Sequence, residues 1–324
     1  MKLKILNYLF LACSIFLLAA CSNNDTAIDQ TTENEKENGT TPSGETFTIG
    51  TLPAEAALPI ILAEENGYFE ESGVNVSIKT FTSPNDRNVA LQANELDAAI
   101  GDVMTAAAFV DRGIKLKITS DINEDFKILS SPSSGITDVK GLNGKDVSLV
   151  PNFILEYIMD EIAEANEFNY NIVEIPSFSG RAEALLSNQI DGVVFTEPQA
   201  GMLVQQGAHL LASSNEANIK GGTIFFTEEM IQNYPEDIKA FYTAYNKAID
   251  YMNETDANNY ADILSTYQFP AAMSDYINNK ATSYTHGAII DQDQFDRIIT
   301  WTKETEQIKQ AYHYDELTDF SFVK

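Results

Sequence analysis

The chain has 324 residues, with 48 acidic against 20 basic side chains and a formal net charge of −28. That balance leaves no basic footprint for nucleic acid, disfavours lying flat on an anionic membrane, and reads as solubility through self-repulsion. Both cysteines, Cys13 and Cys21, fall in the leading segment, so residues 46–324 offer no disulfide, thiol nucleophile or thiolate metal site.

In chain order, Lys2 and Lys4 precede an uncharged apolar run over residues 5–18, which Leu18-Ala19-Ala20-Cys21 closes. A basic n-region, an apolar h-region and a small-residue cleavage site read as an export signal. The run is shorter than the ~20 residues of a spanning helix, and no later run is long enough either. Its ending resembles a bacterial lipobox. The resemblance implies a lipoprotein signal peptide over residues 1–20, lipidation (palmitate) at Cys21, and anchoring on the extracytoplasmic face of the cell membrane. Residues 22–45 are polar except for Ala27 and Ile28. Such a segment buries too little to offset its ordering entropy, so residues 21–45 are expected to form a solvated, disordered tether. About 280 residues then remain, near the upper limit for one hydrophobic core, which predicts two lobes.

From Thr46 onward short β-rich runs alternate with helical patterns, the signature of an α/β protein. A strand is expected over 47–50 and a helix over 58–69, with Gly67 near its end. A strand over 74–81 follows, then a helix capped by Ser83 with Pro84 in its first turn. Residues 98–100, 116–120 and 126–129 read as strands, with a helix over 105–110. The loop chemistry of Ser130-Ser131-Pro132-Ser133-Ser134-Gly135 reads as a connection between lobes. Beyond it, strands are expected over 147–150, 170–175 and 193–195, and helices over 152–165, 181–186 and 199–206. A strand over 221–226 should return to the first lobe, which then comprises residues 46–133 and 219–324 around a second lobe of 134–218. Residues 227–267 and 294–303 look helical.

An internal echo supports two related lobes. Residues 90–100 match residues 184–194, with Asn94 and Asn188 closing a helix, followed by Asp97 and Asp191 before a buried strand. Asn tolerates the left-handed conformation needed at a helix C-terminus.

These segments resemble the extracellular solute-binding proteins of the nitrate/taurine/sulfonate/thiamine-precursor import family. Gly50-Thr51-Leu52-Pro53 and the run Ala63-Glu64-Glu65-Asn66-Gly67-Tyr68-Phe69-Glu70-Glu71-Ser72-Gly73-Val74 carry the likeness. So do the two Asn-x-Leu/Ile-Asp turns and Thr196-Glu197-Pro198. It covers residues 46–324; Asn94 and Asn188 stand where Gly is common. The resemblance implies a two-lobed periplasmic-binding-protein-like fold (type II) with a ligand cleft between lobes, and an ABC permease and ATPase as partners.

In open α/β sheets, ligands meet the carboxyl ends of strands and the helix N-termini that follow. That rule selects Leu52, Pro53, Asn85, Asp86, Arg87, Asp102 and Thr105 in the first lobe. In the second it selects Asn152, Phe153, Phe178, Thr196 and Glu197, with Ser177 and Arg181 nearby. Each has a plainer role open to it. Ser83 and Asp86 can cap their helix, Phe153 and Phe178 can be core, and Glu197-Pro198 can set a helix entry. Arg181 can be a solvated helix face as readily as a ligand contact. Phenylalanines beside carboxylates suit a small nitrogen heterocycle such as an aminopyrimidine, through stacking and charge-assisted hydrogen bonds. The alternatives are a sulfonate, taurine or nitrate anion, or a lipid-anchored ligand sensor.

Catalysis finds little support. His209, His286 and His313 are scattered, with no His-Glu-x-x-His pattern, no Gly-x-Ser-x-Gly elbow and no P-loop. A fungal branch of the resembled fold makes the thiamine pyrimidine and carries a cysteine-rich iron motif, which this chain lacks. No cofactor or metal is expected.

Overall fold

The computed structural model describes residues 41–323. The expected signal peptide and Cys21 lie outside them. Two five-stranded sheets organise the chain. In the first, β1 (Thr46–Thr51), β2 (Asn75–Thr80) and β3 (Ala98–Asp102) are parallel. The late strand β10 (Gly222–Thr227) inserts antiparallel between β3 and β4 (Leu116–Asp121). The second sheet repeats the design. There β6 (Asp146–Leu149), β7 (Asn171–Glu174) and β8 (Gly192–Phe195) are parallel, and β5 (Lys127–Ser130) lies antiparallel between β8 and β9 (His209–Ser213). The chain is thus α/β with two lobes of one topology. Because β5 belongs to the second sheet, the first crossing is at residues 122–126, earlier than the expected boundary at 133/134.

The helices follow from local sequence. Ser83 Oγ accepts from the Asp86 N–H at 3.2 Å to start α3 (Pro84–Gln92), and Ser177 Oγ accepts from Gly180 N at 3.1 Å to start α6 (Phe178–Leu186). Each satisfies a backbone donor that the helix leaves unpaired. Asn94 and Asn188 both take φ 56° at the ends of these helices. Behind them Asp97 accepts from Thr48 N at 2.7 Å and Asp191 from Asp146 N at 3.1 Å, tying one turn to β1 and the other to β6. The helix expected over 58–69 is broken. Gly67, at φ 73°, separates α1 (Leu58–Glu65) from the short α2 (Tyr68–Glu71). The edge strand β9 and the helix α11 (Ala272–Asn278) have no clear sequence signal. The pattern His-Leu-Leu-Ala-Ser in β9 does not alternate, and Leu210 stands 47 % exposed.

The lobes meet over more than their two crossings. Helices α4 (Val103–Asp111), α5 (Ile154–Ala165) and α12 (Gln292–Glu304) share one apolar cluster. Ile154, Ile158 and Ile162 come from one face of α5, and Phe295 and Ile298 from α12. Trp301 Nε1 donates to Asp160 Oδ2 at 2.9 Å, pinning α12 to the second lobe. The last residues assigned to the tether are also not free. Ser43 N and Oγ donate to the buried Asp237 carboxylate at 3.0 and 2.9 Å, and Asn75 Nδ2 donates to Gly44 O at 2.7 Å.

Candidate functional site

Between the lobes, at the carboxyl ends of β1, β3, β6 and β8, lies a cavity of about 100 Å³. One water needs roughly 10–15 Å³ of such space, so it has room for about one substituted six-membered ring. The first lobe lines it with Leu52, Ala54, Ala56, Ala57, Pro84, Arg87, Ile100, Gly101 and Asp102. The crossing contributes Ile122, Glu124 and Phe126. The second lobe adds Val150, Phe153, Ile154, Leu155, Phe178, Arg181 and Thr196.

Four of these residues carry charge, and their partners differ. Arg87 is buried on α3, where it donates from Nη1 to Ile100 O at 2.6 Å and from Nε and Nη2 to Asn88 Oδ1 at 3.1 and 2.8 Å. Burial lowers its pKa to about 10, against the opposing pull of Asp102. Asp102 accepts from Thr105 N at 2.8 Å through Oδ1 and from Ile154 N at 3.3 Å through Oδ2. One carboxylate therefore caps α4 of its own lobe and α5 of the other. Burial raises its pKa, and Arg87 and these backbone donors pull it back.

Glu124 sits in the first crossing, and its Oε1 accepts from Gly221 N and Gly222 N in the second crossing at 3.0 and 2.8 Å. A Cβ on Gly222 would stand 2.1 Å from Glu124 Oε2, so this carboxylate fits only beside glycine. Oε2 has no hydrogen-bond partner among the described residues. Burial lifts the Glu124 pKa to about 7. Arg181 lies one turn after Phe178 on α6, and its guanidinium rests 5.2 Å from the Phe178 ring and 4.7 Å from that of Phe195. It is 1 % exposed, and neither Nε nor Nη1 has a partner among the described residues. Burial alone lowers its pKa to about 10.

Six of the residues selected from the sequence line this cavity: Leu52, Arg87, Asp102, Phe153, Phe178 and Thr196. The others do not. Asn85, Thr105 and Asn152 border a separate outer groove, which Phe153 also lines, and Asn152 takes φ 69° just before Phe153. Asp86 is exposed and bonded to its own N-cap, accepting from Ser83 Oγ at 2.8 Å. Pro53 offers its carbonyl to Gln199 Nε2 at 3.1 Å. Glu197 is fully buried beneath an ion pair with Lys127 at 2.5 Å and accepts from Gly201 N at 2.8 Å, so its carboxylate is spent on α7 (Gln199–Gln205) and β5. Sequence reasoning missed Glu124, because it lies in a connecting segment with no periodic signal. Arg181 is no solvated face. The signal for it was the internal repeat, since Arg181 follows Arg87 at the same spacing as Asn188 follows Asn94.

Residues 55–258, more than half of the chain, match the family described as NMT1/THI5 like. A 4-amino-5-hydroxymethyl-2-methylpyrimidine phosphate synthase of Schizosaccharomyces pombe is 26 % identical over 75 % of this chain and 71 % of the relative. A putative aliphatic sulfonates-binding protein of Bacillus subtilis is 25 % identical over 75 % of this chain and 73 % of its own. Among solved structures, the alkanesulfonate-binding protein SsuA of Xanthomonas axonopodis pv. citri superposes with a TM-score of 0.73 at 14 % identity, covering 85 % of this chain and 98 % of its own. The periplasmic nitrate-binding protein NrtA of Synechocystis PCC 6803 gives a TM-score of 0.68 at 14 % identity, covering 85 % of each chain. The fold is therefore that of the periplasmic binding proteins, and the chain belongs to the NMT1/THI5-like family.

Proposed function

We propose that the protein is an extracytoplasmic solute-binding protein that delivers a small nitrogen heterocycle, such as an aminopyrimidine, to an ABC importer. One observation carries this reading: an interlobe cavity sized for about one ring, lined by Phe126, Phe153 and Phe178, also has Glu124 in its lining, with a carboxylate oxygen unpartnered among the described residues. Aromatic faces supply stacking, and a buried carboxylate accepts ring N–H groups at a strength that water would otherwise dilute. The family and the fold agree with such a role. Relatives named as synthases are about 25 % identical in sequence, yet the cavity lining here contains no histidine, cysteine, serine or lysine among the described residues.

The test is a thermal melt against aminopyrimidines, thiamine, riboflavin, taurine, alkanesulfonates and nitrate. A ligand bound only by the folded state adds about 2.7 kcal/mol of stability at a hundredfold excess over Kd. A shift with a heterocycle is expected. A shift with a sulfonate or nitrate alone would sink the ligand assignment and leave the solute-binding role intact.

Anchoring at Cys21 completes the proposal. Its support is the lipobox-like run Leu18-Ala19-Ala20-Cys21 behind a basic, then apolar, leader. Labelling cells with a clickable palmitate analogue should mark the protein, and Cys21→Ala should abolish the mark. Persistent labelling of that variant would refute it.

A further inference from the structure

We infer that the ligand is two-ended, a compound carrying an N–H donor group at one end and an anionic oxygen group at the other, held between Glu124 and Arg181. The inference rests on the solute-binding reading and deepens it. Four charged side chains reach the cavity, and two of them are occupied. Arg87 spends its donors on Ile100 O and Asn88, and Asp102 spends both oxygens on the helix starts at Thr105 and Ile154.

The remaining two are of opposite sign and each retains unused capacity. Glu124 Oε2 and Arg181 Nε and Nη1 are buried and unpartnered among the described residues. The rings of Phe178 and Phe195 lie near the guanidinium of Arg181 but offer no oxygen acceptor to its N–H groups. Leaving buried charged donors and acceptors unmade is expensive, and a ligand that meets both removes both penalties. A purely cationic or neutral heterocycle answers Glu124 and leaves Arg181 bare; a simple oxyanion does the reverse. The placement adds a consequence. Glu124 Oε1 already binds the backbone of the second crossing, while Arg181 belongs to the second lobe. A two-ended ligand therefore joins the connection between lobes to the lobe that carries α6.

Isothermal titration of the full chain decides this with two matched sets of probes. The ring set is 4-amino-2-methylpyrimidine, pyrimidine-5-carboxylate and 4-amino-2-methylpyrimidine-5-carboxylate. The open-chain set is ethylamine, ethanesulfonate and taurine. The two-ended member of at least one set should bind about tenfold or more tighter than either single-ended member, the scale of one charge-assisted hydrogen bond. In Arg181→Met the ratio between two-ended and amine-only probes should fall toward one. In Glu124→Gln the ratio between two-ended and acid-only probes should fall likewise.

If single-ended rings bind and the two-ended ring gains nothing, this inference is overturned and the heterocycle reading stands. If taurine shows the two-ended advantage and no ring binds, the inference stands and the heterocycle reading falls. If nothing in either set binds, both fall. The comparison within the unaltered chain does not depend on either variant folding.

Discussion

Helices α3 and α6 open with the same device, a Ser cap and an Arg four residues later, and they put those arginines to different uses. Arg87 is consumed within its own lobe by Ile100 O and Asn88, with Asp102 close enough to oppose its desolvation. Arg181 is just as deeply buried, yet its neighbours are aromatic faces, which attract a cation but cannot receive its N–H groups. The first arginine is part of the scaffold; the second keeps its hydrogen-bonding capacity. A repeat in sequence is therefore not a repeat in role, and the deciding residues are those facing the side chain from other strands.

The strongest challenge to this contrast is Arg87→Met. It strips the acceptors at Ile100 and Asn88 and leaves buried Asp102 without its cation, so about 3–5 kcal/mol of stability should disappear. Urea denaturation measures the loss; a cost below about 1 kcal/mol would erase the distinction between the two helices.

Glu124 gives the next effect. Its pKa is raised from 4.5 to about 7, so between those values the folded chain holds a proton that the unfolded chain has released. Its contribution is favourable at low pH and is lost as pH rises through that window, on the order of 2–3 kcal/mol between pH 5 and pH 8. Asp121, pushed up to about 6 by burial, acts in the same direction. Stability measured at both pH values should fall less steeply for Glu124→Gln, and an identical slope would place the proton elsewhere. Binding through an ionised Glu124 should conversely weaken below about pH 7.

Truncation separates the leading segment from the body. Removing residues 1–40 should leave the melting temperature unchanged, whereas removing 1–45 orphans the buried Asp237 carboxylate at a cost of about 1–3 kcal/mol. Equal melting temperatures would show the Ser43 contacts to be idle. Smaller still, Ser83→Ala and Ser177→Ala should each cost about 1 kcal/mol, and a large inequality would mean that the caps are not equivalent. Smallest of all is Arg181→Met. Deleting a buried cation without hydrogen-bond partners should change stability by only about 1 kcal/mol or raise it; a loss comparable to that of Arg87→Met would contradict the assignment.

What the sequence revealed was local or repeated. The Ser83 cap, the left-handed Asn94 and Asn188, and the doubled turn each depend on residues within one helix turn of one another. The choice of residues followed strand ends, and Leu52, Arg87, Phe153, Phe178 and Thr196 lie along the cavity. It carries no information on partners that arrive from distant parts of the chain. Glu197 looks like a rim carboxylate until Lys127 arrives from β5, and Asp102 looks free until Ile154 N arrives from the other lobe. Glu124 was invisible because it lies in an unpatterned crossing and its partners, Gly221 and Gly222, lie about a hundred positions away at the start of β10.

The Ser43–Asp237 contact also fixes where mechanical load enters the body. The chain arrives beside β1, is clamped to the start of α9 (Pro235–Glu254) through Asp237, and is held to β2 through Asn75. All three anchors belong to the first lobe. A pull along the leading segment thus enters the body through that lobe.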